Sequence, residues 1–449
     1  MAHDRTLVIR SGSVHSPVRR RELLAGLGLT GLGGLAGCLG SSGGAPDPAS
    51  PTPTPAPRSV TTGFGDVTLP VDGSELRTPL PKDGIPAITE PAFGEDWSDW
   101  SAVPAEHRPE DPLALDDRAP VVGVEGEAVA STERGESPAE RDGAARAYPM
   151  RILDHHEVVN DRFGGPLLVT YCPLCGSAVA AIREVRIEET AVGGSGSDAT
   201  GASKEMVTSF GGSGSDATGA SRTVVTSFGV SGKLWRNDLV LYDEATGSLW
   251  SQLLATAIRG PATGQTLELV PASLSTWGEW REAHPETRVL LPPPGSVTVS
   301  GRESRVDYAD SKYGYEEESQ VVGYDDAAGY RLVVGVVHGG EAVGYPFEAV
   351  RAAGVVNDRV GGLPVVVTAT SGGSLVAYER AVDGATLRFS VADERHLRAG
   401  GSRWERTTGR AVDGPHEGTR LSRANERSPL FARAWRDFHP GSRIWSQSG

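Results

Sequence analysis

The sequence predicts a mainly β fold: a β-rich α+β chain made of two tandem repeats of one β-rich domain with short helices. Short apolar runs such as Pro166–Thr170 and Ala178–Ile182 are separated by Gly, Pro, Asn and Asp, the pattern of strands and tight turns. Glycine and proline, 58 and 31 of 449 residues, are too frequent for long helices. A set of motifs also occurs twice in the same order.

The duplication fixes the organisation. Ala147-Tyr148-Pro149 recurs as Gly344-Tyr345-Pro346, and Val158-Val159-Asn160-Asp161-Arg162 recurs as Val355-Val356-Asn357-Asp358-Arg359. The spacing stays at 197 positions through Gly176-Ser177 and Gly373-Ser374. Farther on, Ser248-Leu249-Trp250 pairs with Ser402-Arg403-Trp404, and Trp280 with His284-Pro285 pairs with Trp435 and His439-Pro440. Residues 121–318 are therefore read as the first repeat and 319–449 as a second, degenerate one. A low-complexity Ser/Gly-rich insertion at about 190–224 contains its own tandem copy and reads as an exposed loop. Residues 61–120, rich in Pro, Asp and Trp, read as an irregular wrapping segment. Helical signals are confined to Ala147–Asn160 and Leu274–His284.

The start of the chain reads as an address. Arg19-Arg20-Arg21 precedes a short Gly/Leu/Ala-rich run that ends at Leu35-Ala36-Gly37-Cys38. A twin-arginine segment before an ending that resembles a lipobox predicts an export signal over 1–37 and lipidation of Cys38. Residues 38–60, mostly Ser, Gly, Pro and Thr, read as a flexible tether. The expected location is extracytoplasmic, with the lipid anchor holding the protein to the outer face of the membrane. The net charge of −15 and the absence of a basic patch argue against a nucleic-acid partner. Only four lysines occur against 58 acidic residues, a composition that suggests a halophilic source. Any extracytoplasmic protein partner is left unnamed by these patterns.

Beyond Cys38 the chain has two cysteines, in Tyr171-Cys172-Pro173-Leu174-Cys175-Gly176-Ser177. A C-P-x-C-G turn between two strands aims two sulfurs at one point, and thiolate with imidazole suits zinc or copper. His156, or its neighbour His155, is the expected third ligand, with Glu157 as a fourth ligand or a base. The same spacing also fits a thiol–disulfide redox pair of Cys172 and Cys175, or a structural disulfide in a binding or scaffold protein. Comparison of the copies bears on the choice. Cys172 and Cys175 align with Ala369 and Gly372, and His155-His156-Glu157 with Ala352-Ala353-Gly354, so thiols and histidines are lost together. Asn160 and Asp161 are shared by both copies, and a turn role is expected for them. A second polar–aromatic set includes Asp243, Trp250 and Gln252. With Asn160, Asp161 and Tyr171 it offers a pocket lining, although a hairpin around a buried Trp250 is the stronger expectation.

The motifs Ala-Tyr-Pro, His-Glu-Val-Val-Asn-Asp, Val-Thr-Tyr-Cys-Pro-Leu-Cys-Gly-Ser-Ala and Leu-Tyr-Asp-x-x-Thr-Gly-Ser-Leu-Trp-Ser-Gln occur here in one order. From Val121 to the C-terminus the chain resembles the uncharacterised family of domain of unknown function 3179. The resemblance implies no known activity. It maps the family motif onto His156, Glu157, Asn160, Asp161, Cys172 and Cys175. The expected protein is a membrane-tethered lipoprotein with a Cys/His site for copper or zinc, handling metal or supporting redox outside the cell.

Overall fold

Pro149 and Pro346 mark the same event in the two copies: a strand ends and a seven-residue helix begins. Proline supplies no amide proton and holds φ near the helical value, so it suits this junction. The helix Met150–His156 stops at Glu157, whose φ of 57° is left-handed, and Phe347–Ala353 stops at Gly354 with φ 74°. The expected helix over Ala147–Asn160 is therefore too long at both ends, because Ala145–Pro149 and Val158–Arg162 are strands. Trp277–Ala283, capped by the Thr276 side chain, likewise follows the strand Ala272–Thr276. The chain is mainly β, as the sequence predicted.

The computed structural model describes residues 56–188 except 63, 111, 127–128 and 130–143, then 221–299, Tyr308 and 331–447. The expected signal, Cys38, most of the tether and residues 190–220 of the insertion lie outside the described residues. At the base of the insertion, Glu184–Glu188 pairs antiparallel with Ser221–Val225. The segment expected to wrap irregularly contributes strands: Arg58–Thr62 and Gly65–Leu69 form a hairpin, and Ile88–Glu90 and Phe93–Gly94 each join a sheet of the first copy.

Each copy uses the same sheet plan. In the first, Ala272–Thr276, Pro120–Glu125, Ala145–Pro149 and Thr287–Leu290 lie side by side, the last pair parallel. In the second, Leu430–Phe431, Leu332–His338, Glu341–Pro346 and Arg443–Ile444 repeat that order, again with a parallel final pair. The antiparallel strands Val158–Arg162, Pro166–Cys172 and Ser177–Ile182 correspond to Val356–Val360, Leu363–Ala369 and Leu375–Glu379.

The repeated Asn-Asp pairs explain what holds each plan together. They lie within strands, and the turn falls after them, at the Gly pairs. Asn160 Nδ2 donates to Phe228 O at 2.9 Å, and Phe228 N donates back to Asn160 Oδ1 at 2.7 Å. Asn357 makes the same exchange with Phe389, at 2.9 and 2.8 Å. One side-chain amide thus ties two backbones that do not pair as strands, leaving no buried polar group unmatched there. Asp161 and Asp358 accept the hydroxyls of Tyr148 and Tyr345 at 2.6 and 2.9 Å. The expected turn role gives way to these cross-links, because a buried amide and carboxylate need partners that a solvated turn would not supply.

The core is shared between the copies. One apolar cluster joins Tyr148, Val169 and Trp280 to Tyr345, Val367 and Phe431, and a second joins Cys172, Cys175 and Trp250 to Val333, Trp435 and Phe438. In the second cluster His439 stacks on Phe64, with centroids 4.9 Å apart, and lies 4.1 Å from the Trp435 ring. Burial, with Arg427 nearby, pushes its imidazole from 6.5 down to about 4. The unfolded chain therefore takes up a proton below pH 6.5 that the folded protein refuses until about pH 4, so this stabilisation is lost as pH falls between those values. The full shift corresponds to about 3 kcal/mol. The melting temperature is expected to drop more steeply from pH 6.5 to 4.5 in the wild type than in His439→Gln. Equal slopes would remove His439 as a source of acid sensitivity.

Candidate metal centre

The strands Pro166–Cys172 and Ser177–Ile182 pair in a register that sets Cys172 opposite Ser177, leaving Pro173–Gly176 to turn. Cys175 N and Gly176 N both donate to Cys172 O, at 3.1 and 2.8 Å. Gly176 has φ 62°, and a Cβ there would stand 2.6 Å from the Phe431 ring, so neither conformation nor space admits a larger residue. The turn brings the two sulfurs to 2.9 Å. Both cysteines are free, and each is 1% exposed.

A second hairpin faces the sulfurs. Phe228–Trp235 and Asp238–Asp243 are joined by Arg236 and Asn237, whose φ values of 50° and 63° give the two-residue turn that fits strand twist. Asn237 O lies 3.5 Å from Cys175 Sγ and 3.9 Å from Cys172 Sγ. Asp238 follows the turn, with Oδ1 3.8 Å from Cys175 Sγ. Its carboxylate is fixed from behind: Ser251 Oγ donates to Oδ2 at 2.5 Å, and Leu253 N reaches Oδ1 at 3.3 Å. Burial pushes the Asp238 carboxyl up to about 7, against these hydrogen bonds, which lower it. Burial also drives the Cys175 thiol well above its usual range, with the Cys172 contact and the Asp238 charge adding to the effect. Ligand atoms of Cys172, Cys175 and Asp238 lie within 4.8 Å of one another, a group that can hold one metal ion.

The other residues singled out from the sequence have different partners. His156 is fully buried, with Nδ1 2.7 Å from Pro86 O and Nε2 2.6 Å from the Tyr308 hydroxyl. The His155 ring meets the edge of Tyr308 at 5.7 Å. Glu157 closes the helix in a left-handed conformation, and its carbonyl accepts from Thr170 Oγ1 at 2.7 Å and Tyr171 N at 2.9 Å. The converging group thus contains Asp238 where His156 and Glu157 were expected. Tyr171 is buried in the apolar cluster beside Val169. Asp243 organises a hairpin turn, accepting from Thr246 N at 2.7 Å and from Trp250 Nε1 at 2.9 Å, which is the buried-tryptophan hairpin. Gln252 braces the cysteine turn: its Oε1 accepts from Ser177 Oγ at 3.1 Å and its Nε2 donates to Ser177 O at 3.2 Å.

The corresponding turn of the second copy has different neighbours. A Cβ on Gly372, the position aligned with Cys175, would lie 2.6 Å from Glu279 Oε2. That oxygen already accepts from Ser275 Oγ and Ser374 Oγ, both at 2.9 Å. Arg406, aligned with Gln252, sends Nη1 to Ala369 O and Gly354 O, each at 3.1 Å. The place corresponding to Cys172 therefore faces a guanidinium, which repels cations.

Fold and site together define a mainly β protein whose candidate centre is a buried dithiol with a carboxylate. The chain belongs to the family described as Protein of unknown function (DUF3179), whose sequence profile matches residues 82–442. No curated protein and no solved structure matches it.

The buried carboxylate yields a pH prediction for the metal-free protein. Between the unfolded value of 3.8 and the folded value of about 7, the folded state keeps a proton that the unfolded chain has lost. Stability therefore declines as pH rises through this range, by about 4 kcal/mol for the full shift. Asp238→Asn is expected to gain in melting temperature relative to the wild type on going from pH 4 to pH 8. A difference that does not change with pH would contradict the buried acid.

Proposed function

We propose that the chain is an exported, membrane-tethered lipoprotein whose Cys172, Cys175 and Asp238 hold a thiophilic metal ion, copper or zinc. It would handle that metal, or support a redox process, at the outer face of the membrane, anchored through Cys38. The observation that carries this reading is the convergence of two thiols and one carboxylate in a pocket closed to solvent. Sulfur donors select copper(I) and zinc over the hard cations, and Asn237 O stands beside them as a further oxygen. A cation would also offset the cost of burying negative charge, which raises the proton affinity of Cys175 and Asp238. In this reading His156 supports the site from outside, by fixing the segment around Pro86 and Tyr308.

A dithiol–disulfide couple is the second reading, and the 2.9 Å contact between the sulfurs favours it. Two electrons and two protons would pass from the thiols to an incoming disulfide, which would leave as two thiols.

Metal analysis of the protein purified folded and without chelator separates the readings. About one equivalent of copper or zinc is expected, lost in Cys172→Ser and Asp238→Ala and kept in His156→Gln. No metal, together with a disulfide that dithiothreitol opens reversibly, would overturn the metal reading in favour of the couple. Because binding must displace protons from Cys175 and Asp238, zinc affinity is expected to rise from pH 6 to pH 8, by up to about tenfold per pH unit for each proton released. Affinity independent of pH would contradict this ligand set.

A further inference from the structure

A cleft of about 240 Å³, the volume of about eight waters, opens where Leu253 meets the segment 423–430 and Trp435, with Phe64 on one wall. It has no part in holding the metal. Two guanidinium groups, Arg423 and Arg427, line it. Arg427 Nε donates to Leu253 O at 2.9 Å and Nη2 to Leu254 O at 3.4 Å, while its guanidinium lies 4.9 Å from the centre of the Phe64 ring. Arg423 Nη2 donates to Ser273 Oγ at 2.7 Å and to Thr407 O at 3.3 Å. These are neutral acceptors, and among the described residues neither arginine has a carboxylate in ion-pair contact. Two half-buried guanidinium groups held by a hydroxyl and carbonyls, with only the Glu426 charge acting on Arg427, leave one positive charge in excess and favour a single anion.

The rest of the lining narrows the choice. Asn425 Oδ1 is used by Arg427 N at 2.9 Å, which leaves the amide hydrogens of Asn425 for an incoming acceptor. Phe64, Leu253 and Trp435 present apolar surface that an inorganic anion would leave wet. Glu426 also lines the cleft, and its charge opposes a multiply charged guest. The geometry points to a binding site for a small organic monocarboxylate, its carboxylate on Arg427 and Arg423 and its apolar body along the wall formed by Leu253, Val337 and Leu430. The site adjoins the dithiol cluster: Leu253 O receives Arg427 while Leu253 N holds Asp238, and Ser177, paired with Cys172, also lines the cleft. The inference does not rest on metal binding.

Benzoate, benzamide and inorganic phosphate titrated into the metal-free full chain at low salt, followed by calorimetry or saturation-transfer NMR, test this. Saturable benzoate binding near millimolar affinity is expected, with benzamide and phosphate at least about tenfold weaker. Arg423→Gln is expected to weaken benzoate at least about tenfold with an unchanged circular dichroism spectrum. It serves as the main variant because Arg427 also braces Leu253 and Leu254. Absence of saturable benzoate binding, equal binding of benzamide or of phosphate, or wild-type affinity in Arg423→Gln would each overturn the assignment.

Discussion

Phe431 N donates to Cys175 O at 2.7 Å, and this bond between the copies sets the position of the candidate centre. Beside it, Ala178 N donates to Ser428 Oγ at 2.7 Å, and Gly176 lies under the Phe431 ring. The second copy returns the arrangement, its turn at Gly372-Gly373-Ser374 seated on Ser275 and Glu279. Each hairpin turn thus docks on the strand–helix junction of the other copy. The second copy holds the cysteine turn in place, while the hairpin Phe228–Asp243 of the first copy faces the sulfurs.

This reciprocity accounts for the divergence between copies. A side chain at 372 would have to displace the Glu279 carboxylate from Ser275 and Ser374, while the turn against Phe431 needs glycine at 176. Once Arg406 occupies the carbonyls around Ala369, a metal is disfavoured there by charge as well as by missing ligands. The first copy keeps the complementary choice: neutral Gln252 braces the turn without adding charge beside the sulfurs.

The strand-rich class was legible because turn residues and apolar runs are local signals, and Cys172 and Cys175 because two thiols at that spacing are rare enough to mark a site. Asp238 was not legible. It follows a two-residue turn far along the chain, and nothing in Arg236-Asn237-Asp238 separates a buried acid from a solvated turn residue. His156 misled for the opposite reason. Its loss together with the cysteines in the second copy reads as one site, whereas the ring serves Pro86 and Tyr308, neighbours that lie outside the duplicated motifs. The Asn160 and Asp161 pair was noticed as shared, but a cross-link between distant backbones leaves the same trace in sequence as a turn does.

The central claim is that a carboxylate, with no imidazole, completes the dithiol site. X-ray absorption at the metal edge of the zinc-loaded protein tests it most directly. The account predicts two sulfur scatterers at about 2.3 Å and oxygen at about 2.0–2.2 Å. The Asp238→Ala variant should lose part of the oxygen shell. Outer-shell scattering characteristic of a coordinated imidazole ring, lost in His156→Gln, would contradict it.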